Sequence, residues 1–417
     1  MKQITDQKTP KIAVIGGGAA GLFAAAKALE HGADVSIYER NDSVGKKLNI
    51  TGNGRCNYSN RELSLKHYRN PDFVKPYLAQ FPCEYFEDYF ASLGILSFRE
   101  KNGCIYPSSQ KAQTITKGLL HYIKILGGNI HCGICVSELN KNSNGFFVLT
   151  SKDAIISDVF DAVILACGGK AAPKTGSDGC GFRLARGFGH SVSRTYPVLV
   201  QLKSDSKVCK KCQGIRCRVE ASSYINNELL RREKGELQIT EYGLSGIVTF
   251  NLSRDLSKAL EEGENCSIYV DFLPELSKEN IYAFLIKRFQ IIPKDTLLDF
   301  LAGLINPKLM EVLLLEKKCD LTQIVSKDNI SYLCELLESF KNWQFKITNH
   351  NGYENAQVTQ GGILLSEVTA SLESQKVPNL YFAGEMLDID ADCGGYNLHW
   401  AWMSGEITGT AAAKKGF

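Results

Sequence analysis

Three glycines and one acid are the residues of this chain best placed to do chemistry. Gly16-x-Gly18-x-x-Gly21 follows an apolar run, Lys11 to Ile15, and Glu39 closes the next apolar run 23 positions after Gly16. That spacing suits a diphosphate. Gly16 permits a tight turn, Gly18 lets backbone amides approach phosphate oxygens, and Gly21 lets the following helix pack closely, with Ala19 and Ala20 keeping the turn small. The helix N-terminus complements phosphate charge, and Glu39, beside Arg40, can accept hydrogen bonds from ribose hydroxyls.

Further polar positions cluster behind glycines. Thr51-Gly-Asn-Gly-Arg-Cys-Asn57 places Gly54, Arg55, Cys56 and Asn57 where a backbone can pass close to a planar ligand, and Arg55 can hold an anionic ring edge or a phosphate. Lys46 and Lys47 stand just before, able to neutralise a diphosphate. Ala166, Cys167 and Gly168 end a strand-like run, and Val136 lies in an earlier one. Gly384, Glu385 and Asp388 follow LYFA, where an acid can bond a polyol chain. Gly395, Tyr396, Asn397 and Leu398 open the last helical stretch, whose N-terminal dipole would stabilise an anionic reduced ring.

Other candidates are weaker. His399 reads as a packing or capping residue. Cys56 has no second cysteine a few residues away, so a structural thiol is expected rather than a dithiol relay. Asp388-x-Asp390-x-Asp392 begins like a calcium loop, but Cys393 replaces the turn glycine and His399 stands where the bidentate Glu belongs. The pairs Cys132/Cys135 and Cys209/Cys212, with Cys217 beyond, lack a fourth ligand at matching spacing, so no metal is expected.

The elements that position these residues follow from periodicity. A β-α-β unit fills the first ~60 residues. Helices are expected over 73–127, including Tyr77–Leu93 and Ala112–Leu126. Strands then follow in IHCGICVSEL, GFFVLTS and FDAVILACGG, giving a mainly parallel sheet with an added β-meander. Residues 196–275 read as β-rich with few helical patterns. Residues 276–343 read as helical: Lys278–Phe289, Lys294–Leu304, Lys308–Leu315 and Lys327–Phe340. The α/β pattern returns with Leu380–Gly384 and a helix over His399–Ala413. The expected domains are 1–195 plus 355–417 for the dinucleotide, 196–275 plus 344–354 as an inserted β-rich domain, and 276–343 as a helical subdomain.

Whole-chain quantities exclude several classes. The 417 residues carry a net charge of +3, too near neutral to suggest a dedicated nucleic-acid surface. No apolar run approaches the ~20 residues that span a bilayer. The polar start MKQITDQKTP has no apolar leader, so a cytoplasmic location is expected, where the 14 cysteines stay free thiols. A second GxGxxG is absent, so a nicotinamide would have no domain of its own.

Taken together, GGGAAG at Gly16–Gly21, Glu39, GKKLNITGNGRCN at Gly45–Asn57, TGSDGCGFRLA at Thr175–Ala185, TQGGI at Thr359–Ile363 and LYFAGEMLDIDADCGGYNLHWAWMSGEITG at Leu380–Gly409 resemble one family across the whole chain. These are the bacterial FAD-dependent oxidoreductases of aminoacetone-oxidase-like or bile-acid-reductase-like type. One departure is Cys167, where such strand ends more often carry Thr. The resemblance implies an α/β, Rossmann-type FAD-binding domain of the two-dinucleotide-binding-fold kind, with inserted β-barrel-like and helical subdomains. It implies FAD as cofactor, NADH or NADPH as transient electron donor, and a small-molecule substrate such as a 3-oxo bile-acid enone. Hydride would leave flavin N5 for the enone β-carbon, and Arg55, Tyr396 and Asn397 are the candidate donors to the enolate. An O2-dependent aminoketone oxidase, a non-catalytic flavin redox sensor and a tRNA-modifying flavoprotein are the alternatives.

Overall fold

The computed structural model describes residues 9–151 and 155–415; the first eight positions, which carry most of the polar start, lie outside the described residues. The chain forms two compact units, Met1–Pro197 with Gln357–Phe417, and Val198–Ala356.

The first unit is built on a five-stranded parallel sheet. Its order is Leu380–Phe382, Ala162–Leu165, β1 (Lys11–Ile15), β2 (Asp34–Glu39) and Asn129–Cys132. Val14, Val35, Ile37, Val163 and Ile164 are fully buried, the continuous apolar pattern of strands covered on both faces. Ile15 lies opposite Tyr38 and Leu165, and Leu165 opposite Phe382. Three strands therefore end at one level, and the glycine turns that follow them share the carboxyl edge where α/β folds bind ligands.

Helix α1 (Ala19–Glu30) is alanine-rich because both neighbours come close. The last helix, Tyr396–Lys414, packs along it: a Cβ on Gly405 would lie 2.7 Å from the Ala20 carbonyl oxygen, and one on Gly409 would fall on the Ala24 carbonyl. Residue numbers rise together along the pair, so the helices run parallel. This helix begins at Tyr396 rather than at His399, with Gly395 (φ +95°) as its N-cap.

Two other expectations change. Tyr77–Leu93 is two helices, Pro71–Gln80 and Cys83–Ser92, because Pro82 cannot continue the first and caps the second. The run Ile130–Leu139 bends at Gly133 (φ +75°): Asn129–Cys132 joins the parallel sheet, whereas Val136–Lys141 pairs antiparallel with Phe147–Ser151, itself paired with Ile155–Phe160. Cys132 is consequently exposed at the end of its strand, where the chain turns.

In the second unit, seven strands form an antiparallel sheet in the order Trp343–Ile347, Cys266–Asp271, Arg216–Ile225, Glu228–Thr240, Gly243–Ser245, Leu202–Lys203 and Asn349–His350. A 15-residue helix, Ile247–Glu261, lies in the stretch expected to have few. It buries Thr249, Asn251, Ser253 and Ser257 along with Leu252 and Leu256, so no clean apolar stripe marks it. Helices Lys278–Ile291, Leu297–Leu301, Pro307–Glu316 and Ile330–Ser339 share one core with the sheet through Leu285, Phe300, Leu313, Leu337 and Phe345. Cys209 and Cys212 are buried in that core. Among the described residues no group of His, Cys, Asp and Glu could hold a metal, and no helix is long and apolar enough to cross a membrane.

Candidate cofactor site and its relatives

The glycines after β1 divide into those that pack and one that opens. A Cβ on Gly16 (φ +107°) would lie 2.5 Å from the Ala166 carbonyl oxygen, one on Gly17 would lie 2.5 Å from Val44 Cγ1, and one on Gly21 would fall on the Gly16 carbonyl. A Cβ on Gly18 would meet nothing within 4 Å. Gly18 is also the N-cap of α1 and no side chain caps that end, so its amides face open space. The buried Glu39 carboxylate braces the turn, accepting from Gly17 N (2.9 Å), Asn41 N (2.8 Å) and Asn41 Nδ2 (2.7 Å). A carboxylate has about four acceptor positions, so room for a ribose hydroxyl remains. Ala20 is buried and Ala19 half-buried at the helix start.

A second layer ties the segment 173–180 to the same edge. Arg40 pairs with Asp178, and Asn41 Nδ2 donates to the Thr175 carbonyl (3.0 Å). Cys167 donates its thiol to the Ile15 carbonyl (3.4 Å), a contact that a Thr hydroxyl at this strand end could also make. Gly168 (φ +73°) approaches Ser177, whose Oγ is buried without a partner. Ala166 and Val136 are also buried.

The Lys46–Gly54 segment is kinked, with Gly52 and Asn53 both left-handed at φ +56°. Gly54 (φ +80°) and Cys56 (φ +61°) continue the irregular backbone. Cys56 is buried and its thiol is pushed up to about 12, so it is chemically quiet. Asn57 Oδ1 is buried without a partner. Lys47 Nζ pairs with Glu385 (2.8 Å), and Glu385 accepts from Thr359 N (2.5 Å). Arg55 stacks on Tyr106 (4.1 Å) and donates to Glu100 (2.5 Å) and Gln110 (2.7 Å), so its guanidinium is engaged by the segment from Glu100 to Gln110.

The carboxyl-terminal motif is equally interlocked. Gly384 (φ +66°) donates its N–H to Ser404 Oγ (2.8 Å) and accepts from Trp400 Nε1 (3.1 Å), holding the turn against the last helix. Asp388 pairs with Arg69 and accepts from Ser193 Oγ (3.1 Å). Buried Asp390 pairs with Arg69 Nε (2.8 Å), and Asp392 meets His67 Nδ1 (3.0 Å). The three acids that resemble a calcium loop therefore face Arg69 and His67 side chains. Asn397 clamps this loop: Oδ1 accepts from Ala391 N (2.9 Å), while Nδ2 donates to the carbonyls of Ala391 (2.8 Å) and Asp392 (3.2 Å). A Cβ on Gly395 would fall on the Ser59 carbonyl. Tyr396 stacks on His67 (4.2 Å between centroids, 13° between planes), and burial pushes its phenol up, so it stays protonated. Leu398 is half-buried. His399 is wholly buried, with Nδ1 to Ser59 Oγ (2.8 Å) and Nε2 to the Phe81 carbonyl (3.0 Å), a packing role.

These residues fit a dinucleotide. An uncapped helix end opens beside Gly18, and two orphaned buried oxygens, on Asn57 and Ser177, lie on motif loops of the same edge. Sequence reasoning missed Ser177, His67, Arg69 and Thr359. Ser177 and Thr359 lie inside conspicuous glycine motifs, whereas nothing local marks His67 or Arg69.

The chain matches the model of the HI0933-like protein Rossmann domain over residues 10–411. It is 36% identical to the 3-dehydro-bile acid delta(4,6)-reductase of Clostridium scindens, covering 97% of this chain and 99% of the relative. It is 28% identical to the ribosomal RNA dihydrouridine synthase of Haemophilus influenzae, covering 94% and 95%. Among solved structures it resembles the 3-ketosteroid delta1-dehydrogenase of Sterolibacterium denitrificans, at a TM-score of 0.53 and 12% identity over 97% of this chain and 100% of that one, a likeness of fold. The chain belongs to the HI0933-like family of Rossmann-type flavoproteins and is an FAD-dependent oxidoreductase.

Proposed function

We propose that this protein reduces a carbon–carbon double bond conjugated to a ketone, in a small 3-oxo bile-acid or steroid-like substrate, with NADH or NADPH as the donor. The observation carrying this reading is the full-length identity of 36% with a bile-acid delta(4,6)-reductase. Bound FAD supplies the two-electron chemistry, taking reducing equivalents from the donor and returning them as hydride. The chain's part is to bind and orient. Gly16, Gly18 and Gly21 with Ala19 and Ala20 cradle the diphosphate, and Glu39 and Arg40 hold the adenosine end beside Val136. Ala166, Cys167, Gly168, Lys47, Gly54, Cys56, Asn57, Gly384, Glu385 and Asp388 line the cofactor's path. Gly395, Tyr396, Asn397 and Leu398 present the last helix's positive end to the ring. Tyr396 donates a hydrogen bond to the carbonyl oxygen, while Arg55 ties its loop to Glu100 and Gln110 and Asn397 holds the Ala391–Asp392 loop in shape.

The test is anaerobic. Bound flavin should bleach with NADH or NADPH, then regain colour with a 3-oxo-4,6-diene steroid, whose product carries two added hydrogens. Bleaching by neither nicotinamide and no recovery with any enone would overturn the reading. Hydrogen peroxide formed from aminoacetone would point to an oxidase instead. The ribosomal RNA relative supports a second reading, because the uracil C5=C6 bond is also conjugated to a carbonyl. Dihydrouridine formed in ribosomal RNA, with no steroid turnover, would establish that reading.

A further inference from the structure

Reducing a conjugated double bond needs a proton as well as a hydride. Hydride addition at the β-carbon moves the C=C electron pair onto the carbonyl, and the resulting enolate must take one proton to close the saturated bond. The buried Tyr396 phenol is pushed up, so it can donate a hydrogen bond but gives up its proton reluctantly. Arg55 and Asn397 are engaged by neighbouring protein groups. The proton must come from elsewhere.

We infer that His67, oriented by Asp392 and stacked on Tyr396, is the proton donor to the reduced substrate. This rests on the conjugate-reductase reading above. Placement follows from helix packing: Gly405 sits against Ala20, at the start of α1, so Tyr396, nine residues nearer the N-terminus of the parallel helix, lies about 13 Å beyond the α1 N-terminus. A dinucleotide whose diphosphate sat at the α1 N-terminus would extend past that same end, and Tyr396 carries the His67 ring face to face at 4.2 Å. Asp392, whose side chain is 3% exposed, fixes His67 Nδ1 at 3.0 Å. The ring's backbone is zipped to the same loop, with Asp392 N donating to the His67 carbonyl (2.9 Å) and Arg69 N to the Asp390 carbonyl (2.9 Å). The result is an imidazole held in one orientation beside the ring end of the cofactor site. In the step, an imidazolium N–H bond breaks, a C–H bond forms at the α-carbon, and neutral imidazole remains. Its side chain is 18% exposed, so water can return the proton. An imidazole suits the role because it can carry a proton on each ring nitrogen and release one while Asp392 holds the other.

The experiment uses the full FAD-loaded chain, reduced with dithionite so that no nicotinamide is needed, and mixed anaerobically with a 3-oxo-4,6-diene steroid. His67→Gln should slow flavin reoxidation by at least about 100-fold, the usual contribution of a general acid. Added imidazole should restore much of the rate to His67→Ala. Reoxidation of His67→Gln within threefold of the parent overturns the inference. If that variant loses FAD, Asp392→Asn decides: a rate at least tenfold slower supports the inference, and an equal rate overturns it. If the parent is reoxidised by no enone, the substrate reading has failed, and p-nitrophenolate titrated into the oxidised protein tests His67 alone through the visible flavin band. Binding at least tenfold weaker in His67→Gln supports the donor role; equal binding, or none to the parent, overturns it.

Discussion

Replacing His399 with Gln should change how stability depends on pH. The Phe81 carbonyl can only accept, so His399 Nε2 carries the hydrogen and Nδ1 accepts from the Ser59 hydroxyl. Burial pushes the imidazole down to about 4, against about 6.5 in an unfolded chain. The folded-state value is depressed, so the stabilisation is complete above pH 6.5 and is lost as pH falls from there to about 4, where the folded protein also takes up the proton. The full loss is about 3 kcal/mol, and about 2 kcal/mol of it falls between pH 8 and pH 5. His399→Gln removes this titration while keeping a donor and an acceptor, at a cost of about 2 kcal/mol at pH 8. Urea unfolding followed by the fluorescence of the buried Trp400 and Trp402, which flank the site, should show parent and variant separated at pH 8 and nearly coincident at pH 5. Taking the difference cancels the other histidines. A gap that stays constant or widens toward pH 5 refutes the reasoning.

Gly18→Ala should leave thermal stability unchanged yet weaken FAD binding at least tenfold by isothermal titration, because its Cβ enters only the space beside the uncapped helix end. Gly21→Ala should instead lower the yield of folded protein, since its Cβ falls on the Gly16 carbonyl. Arg69→Ala should destabilise by about 3 kcal/mol in denaturant unfolding, as it removes the cation from buried Asp390. Native alkylation read by mass spectrometry should label Cys180, lowered by its hydrogen bond from Cys167, well before buried Cys56 and Cys209, both pushed up to about 12.

The dinucleotide turn was legible because its requirements are local: three glycines and an acid within one β-α-β unit. The inserted unit was legible as a change of pattern, but Ile247–Glu261 was not, because Thr249 and Ser253 turn their hydroxyls onto the Ser245 and Phe250 carbonyls and lie buried among apolar neighbours. Burial all round hides a helical stripe. Arg55 and Asn397 look like ligand donors in sequence because their partners, Glu100 and Ala391, are recognisable only in three dimensions. His67 illustrates the converse, since its meaning depends on Asp392, 325 positions away.

Gly405 and Gly409 rest on carbonyls, so main chain rather than side chains sets the register between α1 and the last helix. The last helix then works as a ruler, measuring from the phosphate anchor to Tyr396. Side-chain changes elsewhere along it leave that length alone, but one residue inserted between Tyr396 and Gly405 would lengthen it by about 1.5 Å and swing the aromatic stack about 100° around the axis. Point substitution is tolerated along such a measure far more readily than insertion or deletion.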